Sequence, residues 1–225
     1  MNISPFDLLI FDCDGTLVDS EYLNNFATIQ LLHGEGLTQY DMDYAFANFV
    51  GLRFKHILDG ISKETGHVFP TDTVERYIAL VEKLAPDQMK TIPGALELVA
   101  EASSRVKICV VSNGQRDNVI SSLEMAGVRK YFEESYIFTG LMAPNPKPAP
   151  DLFLLAAERL NAQTNKCVVI EDSVAGVTGA VAAGMRTFGF VGTHTDQSGY
   201  AERLKKAGAA ELFTSLIHIR ERLFR

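Results

Sequence analysis

The chain has 225 residues, of which 47% are hydrophobic and 22% are charged. These proportions are ordinary for a globular protein, and the length suits one large domain or one domain that carries a smaller insert. Such a chain can bury a large core without disulfides or structural metals. The net charge of −7 argues against nucleic acid or an anionic membrane as the main partner, since both require a basic surface.

The cysteines and the first residues indicate the compartment. The three cysteines are Cys13, Cys109 and Cys167; none belongs to a CxxC pair, and each lies in or beside an apolar run. An odd number without paired spacing favours reduced, buried thiols. Residues 1–11 have no basic start and only a short apolar run, so they match neither a signal peptide nor a membrane span. We expect a cytoplasmic protein, with a monomer as the default state.

Short apolar runs alternate with segments of helical period along most of the chain. Continuous apolar runs are typical of strands that are covered on both faces of a parallel sheet. Between them, apolar residues recur at helical spacing, as Ala95, Leu98 and Ala102 do. We predict an α/β fold with a Rossmann-like parallel sheet core. The predicted strands are Leu8–Phe11, Lys107–Val111, Tyr136–Thr139, Cys167–Ile170 and Thr187–Val191.

One long segment breaks this alternation. Between about residues 20 and 90 the sequence has several helical patterns and no convincing strand. An all-helical insert of this size, placed between the first strand and the rest of the sheet, indicates a separate cap domain. Pro86 and Pro93 are expected to break helix where the insert ends. The predicted domains are an α/β core of residues 1–18 and 91–225 and a helical cap of residues 19–90.

The first predicted strand ends directly before Asp12-Cys13-Asp14-Gly15-Thr16. Ligands collect at the carboxyl ends of strands in an open parallel sheet. Carboxylates at positions i and i+2 of an extended segment lie about 6.6 Å apart at Cα and point the same way, so Asp12 can attack while Asp14 handles protons. A turn rich in Asp and Gly, or a structural ion pair, would also explain the pattern. A calcium loop is excluded, because Gly15 comes fourth and a strand precedes it.

Two further motifs suit an anion. Ser112, Asn113 and Gly114 follow the second predicted strand and offer a hydroxyl, an amide and a backbone N–H, which together form a phosphate cradle. Ser and Asn before a helix are also ordinary N-caps. Lys147 has a proline on each side, and these prolines hold the backbone around the cation with little entropy to lose. An exposed loop lysine is the alternative.

The fourth motif is acidic. Glu171, Asp172 and Ser173 follow the strand Cys167–Ile170 and open a helix. Two adjacent acids at the carboxyl end of a strand suit a hard, oxygen-liganded cation such as Mg²⁺. Capping of the helix by Asp172 or Ser173 is the alternative explanation. Each motif has such a structural explanation, but no single one covers all of them in this order.

With these motifs in this order, the chain resembles the haloacid dehalogenase superfamily, in the branch with a small helical cap after the first strand. The resemblance covers essentially the whole chain. It implies that Asp12 is a nucleophile that forms an aspartyl-phosphate and that Asp14 is the acid/base for the leaving oxygen and for water. The implied phosphate-binding residues are Ser112, Asn113 and Lys147. The implied Mg²⁺ ligands are Asp12, the backbone carbonyl of Asp14, Asp172 and, as a candidate further ligand, Glu171.

The resemblance also narrows the reaction. Dehalogenases of the family carry tyrosine at the position of Asp14, and phosphonate-cleaving members carry alanine. Neither needs to protonate a leaving oxygen, so an aspartate here indicates phosphate esters. We therefore predict a phosphoric monoester hydrolase, a Mg²⁺-dependent phosphatase that acts on a small sugar phosphate or sugar-acid phosphate.

Selectivity within the family comes from the cap, where Arg53 and Asn24 are the predicted substrate contacts. In the beta-phosphoglucomutase relatives a histidine occupies the position that aligns with Asn24. Asn24 cannot shuttle protons as histidine does, so hydrolysis is favoured over a phosphosugar mutase. The motif runs Asp12–Glu21 and Glu171–Gly176 are most similar to 6-phosphogluconate phosphatases. A non-catalytic binding module is the remaining alternative, although Asp12, Asp14, Lys147 and Asp172 are all present.

Overall fold

A computed structural model of the chain describes residues 5–49, 52, 54–194 and 196–225. In chain order, the strands are β1 (Leu8–Phe11), β2 (Val18–Asp19), β3 (Lys90–Thr91), β4 (Lys107–Ser112), β5 (Ile137–Thr139), β6 (Cys167–Glu171), β7 (Arg186–Phe190) and β8 (Glu211–Phe213). The helices that precede β3 are α1 (Ser20–Gly34), α2 (Met42–Asn48), α3 (Phe54–Thr65) and α4 (Thr73–Gln88). Those that follow it are α5 (Ala95–Ser103), α6 (Arg116–Met125), α7 (Asp151–Arg159), α8 (Val174–Ala182), α9 (Gln197–Lys206) and α10 (Leu216–Phe224). Across these ranges, no helix is both long and apolar enough to span a membrane.

The main sheet has six strands in the order β5-β4-β1-β6-β7-β8, and its neighbours pair in parallel. The predicted α/β fold with a parallel sheet is therefore confirmed. All residues of β1 are fully buried, which explains why the strand is apolar throughout rather than alternating. One cluster of the core packs β1, β4 and β6 against α7 and α8.

The chain folds into two compact units. The core unit runs to Asp19 and resumes over Thr91–Arg225, and the helical unit is Ser20–Lys90. The core unit therefore includes Asp19, whereas the sequence prediction placed residue 19 in the cap. The helical unit has a hydrophobic cluster of its own, which includes Leu32, Tyr40 and Ile61.

The ends of some elements differ from the prediction. Pro86 does not break a helix, because α4 continues through it to Gln88. Pro86 lies in the last turn, where a missing N–H removes a single intrahelical bond and little helix remains to be disrupted. Ser112 and Glu171 are the last residues of β4 and β6 rather than the first residues of the loops that follow.

The order of the strands positions the loops that carry the predicted site. After β1, the chain forms β4 and β5 on one side of β1 within the sheet. It then returns to form β6 on the other side of β1. Ligands bind at such a reversal, outside the carboxyl ends of the strands. Asp12, Asn113 and Asp172 directly follow β1, β4 and β6, so these three residues meet at that edge.

Candidate active site

A cavity of about 200 Å³ lies at this edge of the sheet, within the core unit. It is lined by the predicted site residues of that unit, namely Asp12, Asp14, Ser112, Asn113, Lys147, Glu171 and Asp172. The structure therefore brings together side chains that are separated by up to 160 positions in the sequence. The roles that the sequence predicts for them remain predictions.

The chain turns sharply after Asp12. Asp12 is still tied to the sheet, because its N–H donates to the carbonyl of Ile170 at 3.0 Å. Gly15 then adopts a left-handed φ of 81°. A Cβ at Gly15 would overlap Asp172 Oδ2, so only glycine fits both the turn and the contact between the two acidic loops. This turn keeps Asp12 at the carboxyl end of β1.

Lys147 is buried at the centre of the site. Its Nζ donates to Asp12 Oδ1 at 2.6 Å, to Glu171 Oε1 at 2.7 Å and to the carbonyl of Val111 at 2.7 Å. Burial alone would lower the pKa of Lys147, but the carboxylates of Asp12 and Glu171 outweigh it and hold the pKa above its usual value. The side chain therefore stays a cation at neutral pH, and the alternative of an exposed loop lysine is wrong.

Asn113 fixes the backbone of Lys147. The Asn113 side chain donates from Nδ2 to the carbonyl of Lys147 at 3.0 Å, and its Oδ1 accepts from the Lys147 N–H at 2.9 Å. These reciprocal bonds use both ends of the amide. They use only one of the two Nδ2 protons, so Asn113 can offer a phosphate its other Nδ2 proton or its backbone while its side chain positions the backbone of Lys147.

Asp12, Glu171 and Asp172 form an acidic cluster in which one carboxylate oxygen from each lies within 4.8 Å of the others. Burial raises the pKa of Asp12 well above its ordinary value despite the Lys147 ammonium, and the charges of Glu171 and Asp172 raise it further. Burial likewise raises the pKa of Asp172. Three buried acids around one ammonium carry excess negative charge, which a hard divalent cation with oxygen ligands would neutralise. The donor set therefore fits such an ion.

Both oxygens of Glu171 have partners within the protein. Oε1 accepts from Lys147, and Oε2 accepts from the N–H and the hydroxyl of Ser173 at 2.7 and 2.9 Å. The carboxyl packs directly on the first turn of α8, where a Cβ at Gly176 would overlap Oε1. Ser173 also caps α8 through a bond from the Gly176 N–H, so the predicted capping role is present beside the acidic pair.

Asp14 and Ser112 both line the cavity. Asp14 is exposed, which suits a group that exchanges protons with substrate and water. Ser112 is buried, and its Oγ accepts from the N–H of Gly114 at 3.0 Å. This bond leaves the hydroxyl proton able to point into the cavity.

Among the residues that the structure describes, Thr16, Thr193 and His194 bond the loops after β1 and β6 and were not predicted as site residues. Thr16 donates from Oγ1 to Asp172 Oδ1 at 3.2 Å. Thr193 and His194, which follow β7, contact Gly15 and Asp172. Thr16 belongs to the motif that begins at Asp12, but nothing in the sequence around residues 193 and 194 indicates such contacts.

Asn24 lies in the helical unit, where it lines a separate cavity of about 290 Å³. Its Oδ1 accepts a hydrogen bond from the Tyr77 hydroxyl at 3.1 Å, and the Tyr77 ring stacks on Phe54 with 3.7 Å between centroids. Burial raises the pKa of Tyr77 to about 12, so its hydroxyl keeps its proton at neutral pH. Arg53, the other predicted substrate contact, lies outside the described residues.

Comparison with known proteins identifies the family. The family model for haloacid dehalogenase-like hydrolases matches residues 9–190. The chain is 33% identical over 189 residues to a 6-phosphogluconate phosphatase of Escherichia coli strain K12, and the match covers 84% of each protein. It is 31% identical over 216 residues to a phosphorylated carbohydrates phosphatase of Thermotoga maritima, a match that covers 92% of this chain and 93% of that protein. The chain belongs to the haloacid dehalogenase-like hydrolase family.

A solved structure agrees with this assignment. A family hydrolase from Deinococcus radiodurans, determined with bound phosphate and sodium, superposes with a TM-score of 0.83 at 31% identity. The match covers 98% of this chain and 96% of that one. Together with the named relatives, it confirms the predicted enzyme class, a phosphoric monoester hydrolase.

Proposed function

We propose that the protein is a Mg²⁺-dependent phosphatase that hydrolyses a small phosphorylated sugar or sugar acid through an aspartyl-phosphate on Asp12. The observation that carries this proposal is the contact of Lys147 Nζ with both Asp12 and Glu171, inside a cavity that Asp14 also lines. A nucleophile, a fixed cation and a proton-transfer group therefore share one small space. Two relatives are named as phosphatases of 6-phosphogluconate and of phosphorylated carbohydrates, and these names support a sugar or sugar-acid phosphate as the substrate.

The reaction proceeds in two displacements. A carboxylate oxygen of Asp12 attacks phosphorus while the bond to the leaving oxygen breaks, and Asp14 gives its proton to that oxygen. Asp14 then accepts a proton from water, which attacks the aspartyl-phosphate, releases inorganic phosphate and regenerates Asp12. Lys147 and the Ser112 hydroxyl stabilise the charge on the transferring group.

The repulsion between Asp12 and a phosphate dianion has to be offset, because phosphate-monoester hydrolysis is among the slowest reactions known, with enzymatic accelerations up to ~10²¹-fold. When bound, Mg²⁺ would neutralise charge on both the nucleophile and the phosphate oxygens. Asp12, Asp172 and the backbone carbonyl of Asp14 would hold it. Glu171, whose oxygens already bond Lys147 and Ser173, would contribute chiefly by holding Lys147 and by its charge.

Removal of divalent cations should abolish turnover. After dialysis against EDTA, the rate of phosphate release from p-nitrophenyl phosphate should fall to background, and added Mg²⁺ should restore it. Ca²⁺ should inhibit, because it accepts more ligands in looser geometry and can engage both oxygens of Asp12, which leaves none to attack. Full activity in excess EDTA would contradict the metal requirement.

Recognition of the organic part of the substrate falls to the helical unit in this proposal. The cavity beside Asn24 combines amide and hydroxyl groups with the stacked rings of Phe54 and Tyr77. Small-molecule sites typically combine apolar or aromatic walls with a few polar groups in this way. Arg53 would pair with a carboxylate or a second phosphate of the substrate.

Water, rather than a sugar hydroxyl, should accept the phosphoryl group. A mutase needs a cap residue that relays protons, whereas Asn24 accepts a bond from Tyr77 and cannot titrate. Incubation with 6-phosphogluconate, and separately with beta-glucose 1-phosphate plus a bisphosphate primer, is followed by phosphorus NMR. We expect free phosphate in the first reaction and no build-up of glucose 6-phosphate in the second. Glucose 6-phosphate that forms faster than free phosphate would establish the mutase instead.

We also propose that the enzyme is cytoplasmic and that it is a monomer. All three cysteines are buried and unpaired, as expected of a chain kept in a reducing compartment. Light scattering after size exclusion measures the oligomeric state directly, and a mass of two or more chains would contradict the monomer.

A further inference from the structure

The segment that follows β7 contacts both acidic loops of the site. β7 pairs with β6, so its carboxyl end lies beside the loop that carries Asp172. Thr193 Oγ1 donates to the backbone carbonyl of Gly15 at 3.2 Å. His194 Nε2 lies 3.2 Å from the backbone carbonyl of Asp172 and 3.6 Å from its Oδ2. Two adjacent side chains therefore connect the loop after β1 with the loop after β6.

The His194 ring is itself held in place. It stacks on Tyr200 of α9 with 3.5 Å between ring centroids and 17° between the planes. The backbone N–H of the histidine donates to the carbonyl of Val191 at 3.1 Å, which fixes the backbone at the start of the contact. Because a carbonyl can only accept, Nε2 must carry a proton when it bonds Asp172. Because the ring is fixed by stacking on Tyr200, its N–H can orient Asp172.

The two loops have little freedom to separate or approach. Gly15 and Asp172 are already in contact, since no Cβ would fit between them, and Thr16 also bonds Asp172. The Thr193 and His194 bonds add a second connection between these loops, through the segment that follows β7. This segment therefore adds to the contacts that hold the loops of Asp12 and Asp172 together.

We propose that Thr193 and His194 are positioning residues that set the geometry of the metal ligands Asp12 and Asp172. The inference rests on the metal site of the proposed function. Mg²⁺ demands nearly ideal octahedral geometry, so a small change in the spacing of its carboxylates weakens binding. Partners that orient metal ligands typically change metal affinity by about 10–100-fold when they are removed. Neither Thr193 nor His194 contacts the reacting atoms, so neither is a catalytic residue.

The test measures metal binding to the full chain without substrate. EDTA-treated protein is titrated with Mg²⁺ by calorimetry, and with Mn²⁺ by electron paramagnetic resonance. Thr193→Val removes the hydroxyl donor but keeps the shape, and His194→Phe removes the donor but keeps a ring on Tyr200. We expect each variant to raise the metal Kd by about 10-fold. At saturating Mg²⁺, the KM for p-nitrophenyl phosphate should not change.

Conservative variants separate positioning from packing. Thr193→Ser and His194→Gln keep a donor and should restore metal affinity to within about threefold of the wild type. His218→Phe, an exposed histidine on α10, is the matched control and should leave the metal Kd unchanged. Thermal unfolding in EDTA identifies any variant that fails to fold. The two variants at Thr193 and the two at His194 test the inference independently of each other.

The outcomes distinguish this inference from the proposed function. If the wild type binds Mg²⁺ and both donor-deleting variants bind it equally well, the positioning role is wrong while the metal-dependent phosphatase stands. If Asp172→Asn binds Mg²⁺ as the wild type does, or the wild type binds none, the metal site and the positioning role are both overturned.

Discussion

Asp12→Asn should lower kcat for p-nitrophenyl phosphate by at least about 10⁴-fold, because loss of a covalent nucleophile in hydrolases typically costs ~10⁶-fold. The amide keeps the shape of the carboxyl and its oxygen can still accept the bond from Lys147, which measures 2.6 Å in the native site. The fold should therefore survive. Thermal unfolding and initial rates at saturating Mg²⁺ check both points.

Two variants accompany this measurement. Asp7→Asn alters an exposed carboxyl just before β1 and should leave the rate unchanged. Asp14→Asn should still form the aspartyl-phosphate from p-nitrophenyl phosphate, whose leaving group needs no proton, and should then stall at hydrolysis. A burst of nitrophenolate followed by a slow phase is the expected trace. More than about a hundredth of wild-type activity in Asp12→Asn would mean that another residue is the nucleophile.

Lys147→Met should abolish activity and also destabilise the protein by about 3–5 kcal/mol, the usual cost of breaking a buried ion pair from one side. The ammonium bonds Asp12 and Glu171, both of which are buried. Without it, two buried carboxyls lose their counter-charge. Urea unfolding in EDTA, with phosphate release measured in parallel, gives both quantities.

The loss of stability should depend on pH. Burial already raises the pKa of Asp12 in the folded protein, and loss of Lys147 would raise it further. A group with a raised folded-state pKa takes up protons on folding, so its folded form is favoured at low pH and loses stability as pH rises through that pKa. The deficit of Lys147→Met relative to wild type should therefore grow from pH 5 to pH 8.

Two controls complete this experiment. Lys205→Met alters an exposed lysine on α9 and should change stability by less than about 0.5 kcal/mol. The double variant Lys147→Met/Glu171→Gln removes one of the stranded charges and should recover part of the stability but none of the activity. A stable Lys147→Met protein at pH 8 would show that the buried cluster does not depend on its cation.

The sequence predicts the centre of the sheet better than its margins. β1, β4 and β6 contain continuous runs of buried apolar residues, because both faces of these strands are covered, and such runs stand out in the sequence. β8 is an edge strand of three partly buried residues, and β2 and β3 have two residues each, so none of them carries a distinct pattern. The prediction for Pro86 is wrong because a helix tolerates proline where only its last turn is affected.

The candidate site is predictable where its residues directly follow a strand within a local motif. Asp12 and Asp172 could be found in this way, since strand ends and acidic pairs are visible in sequence. The second role of Asn113 is to position the backbone of Lys147 through its side-chain amide. It depends on a contact between residues 34 positions apart in the sequence. Thr193 and His194 reach the site only because β7 pairs with β6. No short sequence segment indicates which strands pair.

The close packing of Glu171 on α8 has a consequence for protein engineering. A Cβ at Gly176 would overlap Glu171 Oε1, the oxygen that holds Lys147. A side chain at Gly176 would therefore displace the carboxyl and remove one of the three bonds that Lys147 Nζ donates, so we expect most clones of a library that varies this position to lose activity. Diversity is better directed to the walls of the cavity beside Asn24, where Leu52 is half exposed and a change of side chain leaves the buried charges untouched.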